Sequence, residues 1–548
     1  MLTSDTSATS ERIPSVQVQV PQKSLPLFVP KQVYAIEKQW FAQGNPSYGL
    51  MQQAAWQMAQ WIDQTYHPSR KVSVWVGNGN NGGDGWLVAC YLTQMGRVVQ
   101  VIEVAEATST DAISAKYQAI KQGVRTTRLL DILPNLVLLS ADIMIDALFG
   151  IGLDRAPKGQ YAEAIVAINK LRGRQASYQG RHAVRTVISL DVPSGLVCST
   201  GQVFDGCAVK ADVTLCLVAR KLGLHIKDGP DYSGQVLDFP LIPSVLEMSP
   251  TARLLQGATP MTSRAYNSHK GSFGHALIIG GNQVAGSQGM GGAALLSASS
   301  ALSAGVGKLT VACHSAFHGS LITKLPNAMS LNLQDVAGVK ALIAECDTVA
   351  IGMGMGRDTS SLQLCHQYLQ AVLDSNADLI IDADGLFHLA TLTQTHPQLI
   401  KQLQAHANTH QVWYTPHSGE AARLLNITSA QVEADRVSAI SQLAQRYQGS
   451  WLLKGVGSLV LDQQQLYVCA AGNPGMATAG MGDVLSGLAL GLLAQVDLSQ
   501  QQRSLQQAVM IHALAGDLGQ QRLGEWALQA NDMAALIGIV LKQLYDLR

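Results

Sequence analysis

At 548 residues the chain is too long for one hydrophobic core, so two or three domains are expected. Lys plus Arg and Asp plus Glu both number 38, and that balance excludes a net electrostatic pull toward nucleic acid or a membrane surface. Only 14% of residues are charged, against 47% hydrophobic residues and 51 glycines, which suits an α/β enzyme rich in glycine turns.

Residues 1–28, rich in Ser, Thr, Pro and Gln, read as a loosely attached lead-in without an apolar signal core. No apolar run approaches the ~20 residues needed to span a bilayer. The eight cysteines form no C-x-x-C pair and read as reduced thiols of a cytoplasmic protein. A helix is expected from Pro30 and a second from Pro46, where Leu50, Met51, Ala54, Ala55, Met58 and Trp61 recur at helical spacing.

The strand Val72-Ser73-Val74-Trp75-Val76 then runs into Gly77-Asn78-Gly79-Asn80-Asn81-Gly82-Gly83-Asp84-Gly85 and a helix. Gly77, Gly79 and Gly82 satisfy the dinucleotide fingerprint G-x-G-x-x-G, and Glu103 at the end of the next strand could be its ribose-binding acid. A dehydrogenase is therefore one reading. Against it, Asp84 would sit unfavourably beside a pyrophosphate, and the turn has no need of two asparagines. Further strands end in Asp146 and in Asp191-Val192-Pro193-Ser194-Gly195. In a parallel sheet the ligand crevice lies beyond the carboxyl ends of the strands, so Asn81, Asp146, Asp191 and Ser194 could converge there. Each aspartate alone could be a mere turn former.

From Pro240 to Asn267 the prolines 240, 243, 250 and 260 predict an irregular linker. Beyond it come the strand His275-Ala276-Leu277-Ile278-Ile279, a small-residue helix from Gly291, and a glycine-alternating turn, Gly352-Met353-Gly354-Met355-Gly356-Arg357, that brings backbone N–H groups to a ligand. Asp382-Ala383-Asp384-Gly385, Pro416-His417-Ser418-Gly419-Glu420 and Lys454-Gly455-Val456-Gly457-Ser458 follow further strands. Near the end, Gly480-Met481-Gly482-Asp483 feeds an apolar helix. Free N–H groups and the helix dipole there attract phosphate, and Asp483 is either a cap or a proton-handling carboxylate. No Walker-type loop and no His/Cys metal cluster is present in the sequence.

Asn80-Asn81-Gly82-Gly83-Asp84-Gly85 resembles the signature loop of the NAD(P)H-hydrate epimerases. Gly480, Gly482 and Asp483 resemble the anion hole of the ribokinase-like superfamily, and most closely that of the ADP-dependent NAD(P)H-hydrate dehydratases. The likeness spans roughly residues 30–545. It implies two doubly wound α/β domains: a Rossmann-like epimerase at 29–245, a linker at 246–266, and a ribokinase-like dehydratase at 267–548. It places hydrate contacts of the epimerase on Asn80, Asn81, Gly82, Gly83, Asp84, Gly150, Ile151, Gly152, Leu153, Asp154, Arg155, Ala156 and Asp191. Asn81, Asp146 and Ser194 would hold K⁺ with oxygen ligands, as a hard cation requires. In the second half the hydrate would meet Ala293, Gly356, His417 and Asp483, and the nucleotide Lys454, Gly455, Val456, Gly457, Ser458 and Gly482. Glu420 would help organise Mg²⁺ and phosphate. Ser418 and Met353 stand where that family commonly has proline, a difference expected to alter loop stiffness rather than activity.

The implied chemistry is repair of the hydrates of NADH and NADPH. Asp191 would serve epimerisation of the R and S forms. Asp483 would serve ADP-driven dehydration of the S form, with AMP and phosphate released. The substrates are small molecules, with no nucleic acid or membrane partner, and a homo-oligomer is expected. The alternative is a ribokinase-like hydroxyl kinase fused to a nucleotide-binding module.

Overall fold

The computed structural model describes residues 24–172, 175–178, 181–243, 248–284 and 289–547, so residues 1–23 of the expected lead-in and residues 246–247 of the expected linker lie outside the described residues. Two compact units emerge, and they do not follow chain order: residues 24–255 with 389–470, and residues 256–388 with 471–547.

The first unit holds a seven-stranded parallel sheet. In spatial order its strands are Gln235–Phe239, Val213–Leu217, Thr186–Leu190, Ile143–Ala147, Val72–Val76, Val99–Glu103 and Arg125–Arg128. Its central strands are near-continuous apolar runs because both faces are covered. Val74, Val76 and Ile145 pack under the helices Ser47–Thr65 and Asn80–Gln94, while Trp75, Met144 and Val187 pack against the helix Gln160–Leu171. The chain builds outward from Val72–Val76 to one edge, then returns to Ile143–Ala147 and builds to the other. The switch point therefore falls between these two strands, where a crevice opens at their carboxyl ends.

Two expectations fail in this unit. Residues 25–28 are no loose lead-in, since Leu25–Leu27 pairs antiparallel with Ala252–Leu254, and Leu27 and Phe28 are buried. Nor do the prolines of 240–267 exclude regular structure. Ala252–Leu254, lying between Pro250 and Pro260, also pairs parallel with Gln465–Cys469. Ser458–Asp462, Ser450–Leu453 and Val412–Tyr414 continue that order. Three residues, Ala252-Arg253-Leu254, suffice for a strand when both neighbours supply pairing groups.

The second unit carries the parallel strands Asp378–Ile381, Thr348–Ile351, His275–Ile279, Lys308–Cys313 and Met329–Asn332, in that order. Its helices Gly291–Ser303 and Met481–Leu493 lie unusually close. A Cβ on Gly487 would sit 2.0 Å from the Ser297 carbonyl, and one on Gly491 2.6 Å from that of Ala301. The small residues here serve this approach, and Ser297 and Ser300 seal it by donating to the carbonyls of Asp483 (2.8 Å) and Val484 (2.7 Å). Among the described residues no helix is long and apolar enough to cross a membrane.

His225 follows the short turn Leu222–Leu224 of the first unit. Burial first, and the Arg220 guanidinium second, push its pKa down to about 3. A folded-state pKa below the unfolded one gives stability that is complete above the unfolded value of ~6.5 and is lost as pH falls toward 3. Between pH 6.5 and 5 this should cost about 2 kcal/mol. The expected result is a urea midpoint that drops over this range in the parent chain and drops less in His225→Gln.

Candidate active sites

The strand Thr186–Leu190 delivers Asp191 to the sheet edge with φ at 68°, a left-handed conformation that a non-glycine residue holds only when its surroundings enforce it. The enforcement is visible. Asp191 Oδ1 accepts from the Leu217 backbone N–H (3.1 Å) and is ion-paired with Lys221, whose ammonium also donates to the Leu217 carbonyl (2.6 Å). Lys221 is 1% exposed. Burial, the largest single effect, would lower its pKa, but the acidic groups around it, Asp191 first and then Cys216 and Cys198, together reverse that and hold the ammonium above the usual lysine range.

A cavity of about 1130 Å³ opens over this edge. Asn80, Asn81, Asp84, residues 150–156 and Asp191 all line it. Gly82 and Gly83 do not. They lie buried in the first turn of the helix Asn80–Gln94, where a Cβ on Gly82 would meet the Gly77 carbonyl at 2.1 Å and one on Gly83 the Met51 side chain at 2.8 Å. Those glycines shape the turn from beneath. Glu103, the ribose acid of the dehydrogenase reading, is absent from the cavity wall and is paired with Lys116 at 2.5 Å.

Lys221, Glu37 and Tyr34 also line this cavity, and sequence reasoning did not single them out as site residues. For Lys221 a signal existed: it is the buried cation of a turn that directly follows an apolar strand. Glu37 and Tyr34 arrive on the helix Pro30–Ala42, whose polar face gave no such hint. Burial first, then Asp191, raise the Glu37 carboxyl to about 7, with Lys221 opposing. Asp84 is pushed well up by burial, followed by Asp191, Glu37 and Asp111.

Beneath the cavity, Asp146 is wholly buried and accepts four hydrogen bonds. Its Oδ1 accepts from Ser194 Oγ (2.6 Å) and the Leu148 N–H (3.2 Å), and its Oδ2 from Ser189 Oγ and the Ser194 N–H (both 2.8 Å). Burial raises its carboxyl despite these bonds. Asn81 Nδ2 donates to the Phe149 carbonyl (2.8 Å), whereas Asn81 Oδ1 is buried with no hydrogen-bond partner. An orphaned buried oxygen costs about 1–3 kcal/mol, and a cation beside it would remove that cost.

In the second unit, Gly480 is the N-cap of the helix Met481–Leu493 with φ at 91° and no side-chain cap bond. Gly482 and Asp483 occupy its first turn, so Asp483 is not the cap. Nearby, the Gly356 N–H donates to Asp384 Oδ2 (2.9 Å), Arg357 pairs with Asp384 Oδ1 (2.6 Å), and His388 Nε2 lies 2.8 Å from the Gly356 carbonyl. Asp382 Oδ2 accepts from Ser486 Oγ at 2.6 Å. The two aspartates thus anchor the glycine turn and the Asp483 helix. Ala293 lies in the first turn of Gly291–Ser303, within 3.1 Å of where a Cβ on Gly354 would stand.

Within the first unit, His417 caps the helix Ser418–Leu425. Its Nδ1 accepts from the Gly419 and Glu420 N–H groups, and Glu420 Oε2 accepts back from the His417 N–H (2.9 Å). Glu420 also lies 3.3 Å from His417 Nε2 and 4.0 Å from Lys454 Nζ. The 454–458 loop is shaped by buried Arg436, which donates to the carbonyls of Val456 (2.6 Å), Leu453 (3.1 Å) and Lys454 (3.4 Å). The Lys227 N–H donates to Val456 as well (3.2 Å), and a Cβ on Gly457 would meet the His225 carbonyl at 2.1 Å. At the two departures from the family pattern, Ser418 Oγ donates to Glu433 and Met353 is fully buried.

Residues 282–537 match the NAD(P)H-hydrate dehydratase family, and residues 47–223 match the family described as YjeF-related protein N-terminus. The bifunctional NAD(P)H-hydrate repair enzyme Nnr of Coxiella burnetii is 34% identical over 520 residues, covering 92% of this chain and 97% of that protein. The chain belongs to the bifunctional NAD(P)H-hydrate repair enzyme family. Its relative of the same description in Moorella thermoacetica is 33% identical over 532 residues, covering 91% and 93%. Among solved structures, the ADP/ATP-dependent NAD(P)H-hydrate dehydratase of Bacillus subtilis is 25% identical, covers 52% of this chain and 95% of that chain, and gives a TM-score of 0.43. In this family member the first matched region contains Asn81, Asp84, Asp146, Asp191, Ser194 and Lys221, while Tyr34 and Glu37 precede it, and the second contains Ala293, Gly356, His417, residues 454–458 and Asp483.

Breaking a buried ion pair from one side strands the other charge and typically costs about 3–5 kcal/mol. Lys221→Met should therefore destabilise the chain by about that amount. Adding Asp191→Asn should restore a substantial part of the loss, since no uncompensated charge remains. Urea midpoints of the single and double variants provide the check.

Proposed function

We propose that the chain repairs hydrated NADH and NADPH with two sites: an epimerase in the N-terminal half, functionally residues 29–245, and an ADP-dependent dehydratase at 267–548. One observation carries this reading. The two family matches follow one another along one chain, and each encloses its own set of candidate residues: Asn81, Asp146, Asp191 and Ser194 within 47–223, and Gly356, His417 and Asp483 within 282–537.

In the dehydratase, residues 454–458 of the first unit would contact ADP, and in the second unit Gly482 and the helix N-terminus at Gly480 would offer N–H groups to a phosphoryl group. Asp483 would take the proton of the hydrate's added hydroxyl as that oxygen gains phosphate from ADP, leaving AMP. Expulsion of inorganic phosphate then restores the ring. Mg²⁺ bound near Glu420 would neutralise charge on the phosphates. His417 would contact the hydrate, its ring already oriented by the capping bonds to Gly419 and Glu420.

In the epimerase, Asp191 is the acid–base group, with Lys221 as its fixed counter-charge. The oxygen-only set of Asn81, Asp146 and Ser194 suits K⁺, and the unpartnered Asn81 Oδ1 supports that fit. When bound, K⁺ would offset the acidic groups around the cavity. All eight cysteines are free, in keeping with a reducing cytoplasm. Exposed Tyr266 and Trp526 are candidate contacts of a homo-oligomer.

Asp483→Asn should lower ADP-driven consumption of the S hydrate by about 10²–10⁴-fold while interconversion of the epimers continues. Chiral chromatography with AMP and phosphate assays measures both. Intact ADP through full turnover would sink the scheme, and an accumulating phosphorylated alcohol would favour the hydroxyl kinase. Replacing K⁺ by Li⁺ should slow epimerisation and lower the thermal midpoint of the parent chain. An Asn81→Leu variant, lacking the orphan oxygen, should show no such dependence of its midpoint.

A further inference from the structure

We propose that Glu37 is a second proton-handling group of the epimerase, working with Asp191 across the same cavity. The inference rests on the epimerase reading above and goes beyond it by naming the partner that Asp191 needs.

The observation is a carboxylate out of place. Charged side chains that leave water are ordinarily paired or hydrogen-bonded. Around this cavity that rule holds for Asp191, tied to Lys221 and Leu217, and for Asp146 beneath it, which accepts four hydrogen bonds. Glu37 lines the cavity, is partly buried, and accepts no hydrogen bond among the described residues. It stands on the rigid helix Pro30–Ala42, one turn from Tyr34, whose hydroxyl lies 3.0 Å from the position a Cβ on Gly152 would take. Neither packing nor helix capping explains an unpaired acid at that position.

The chemistry asks for two groups. Inverting the carbon that bears the added hydroxyl requires one of its bonds to break and to re-form from the other face. If the C–O bond breaks, one carboxylic acid gives its proton to the departing hydroxyl, which leaves as water with the bonding pair. Water returning to the opposite face then surrenders a proton to the other carboxylate. If the ring C–N bond breaks, one carboxylate takes the hydroxyl proton while the pair of that bond stays on nitrogen, which is protonated by the other acid, and closure reverses both transfers. Either route needs one acid and one base, in succession in the first and together in the second. Asp191, ion-paired with Lys221, is the base. Glu37 faces Asp191, Asp84, Tyr34 and the Lys221 ammonium, and a carboxyl raised to about 7 by burial and by Asp191 supplies the acid at neutral pH. Asp84 also lines the cavity and accepts no hydrogen bond among the described residues, so Asp84→Asn is measured alongside and should keep the pH limb near 7 that Glu37→Gln loses.

The test uses the full chain and hydrated NADH without ADP, so that only interconversion of the epimers is read by chiral chromatography. Parent protein that fails to interconvert them refutes the epimerase reading itself. With the parent active, Glu37→Gln should slow interconversion by about 10²-fold or more and abolish the limb of its pH profile near 7, while ADP-driven loss of the S hydrate stays at the parent rate. Glu37→Asp, which restores a carboxyl one methylene further back, should recover part of the rate and the limb. Removing an unpaired, half-buried charge should leave the thermal midpoint unchanged or higher, and Glu37→Ala serves in the same role if the amide fails to fold. Parent-rate interconversion in Glu37→Gln, a pH limb that persists without the carboxyl, or a Glu37→Asp variant no better than Glu37→Gln overturns the proposal.

Discussion

One ammonium held against one carboxylate, both out of water, sets the geometry of the N-terminal site. Lys221 reaches Asp191 and the Leu217 carbonyl at once, tying the end of one strand to the loop beyond the next. Its own backbone is clamped in turn: Phe28 donates to the Arg220 carbonyl (2.8 Å) and accepts from the Leu222 N–H (2.9 Å). That clamp is why residues 25–28 are ordered, and it fixes where the Pro30–Ala42 helix begins. Tyr34 and Glu37 reach the cavity only because of this sequence of contacts. The left-handed backbone of Asp191 is held by the same bonds, so charge, strain and cavity wall form one construction.

The second unit solves a different problem by different means. Its candidate carboxylate lies at a helix N-terminus, and the helix must be pinned without blocking that end. Gly487 and Gly491 let it approach Gly291–Ser303 to backbone contact, while Ser297, Ser300 and Asp382 bind its first turns from the buried side. Packing supplies the precision here, where the first unit uses charge. Asp384 does the same for the turn at Gly356, holding its N–H and its neighbouring arginine together.

Much of this was legible in the chain itself, and the reasons are local. Parallel strands buried on both faces read as apolar runs, so Val72–Val76, Ile143–Ala147 and Thr186–Leu190 announced themselves along with the aspartates at their ends. Glycine turns before helices are likewise local signals. Within the signature loop, however, sequence could not separate residues that line the cavity from Gly82 and Gly83, which shape it from below. Lys221 and Glu37 were missed as site residues because their meaning depends on partners 30 or more positions away. The strand Ala252–Leu254 was hidden by flanking prolines, which mark where a strand must stop and say nothing about three residues between them. The division of contacts was equally hidden, since residues 389–470 gather with the N-terminal half.

That last arrangement bears on how such a chain could be inherited. Val456 takes hydrogen bonds from Arg436 and from Lys227, and Gly457 is glycine because the His225 carbonyl occupies the space a side chain would need. The 454–458 loop is thus shaped by residues that lie on the far side of any cut between the two halves. Because the contacts from 225–227 are made by main-chain atoms, the constraint falls on the course of the backbone at 225–227 and on the glycine at 457 rather than on the side chains at 225–227. A lineage that split this gene would have to refit the loop before the C-terminal product could stand alone, which gives selection a structural reason to keep the fusion.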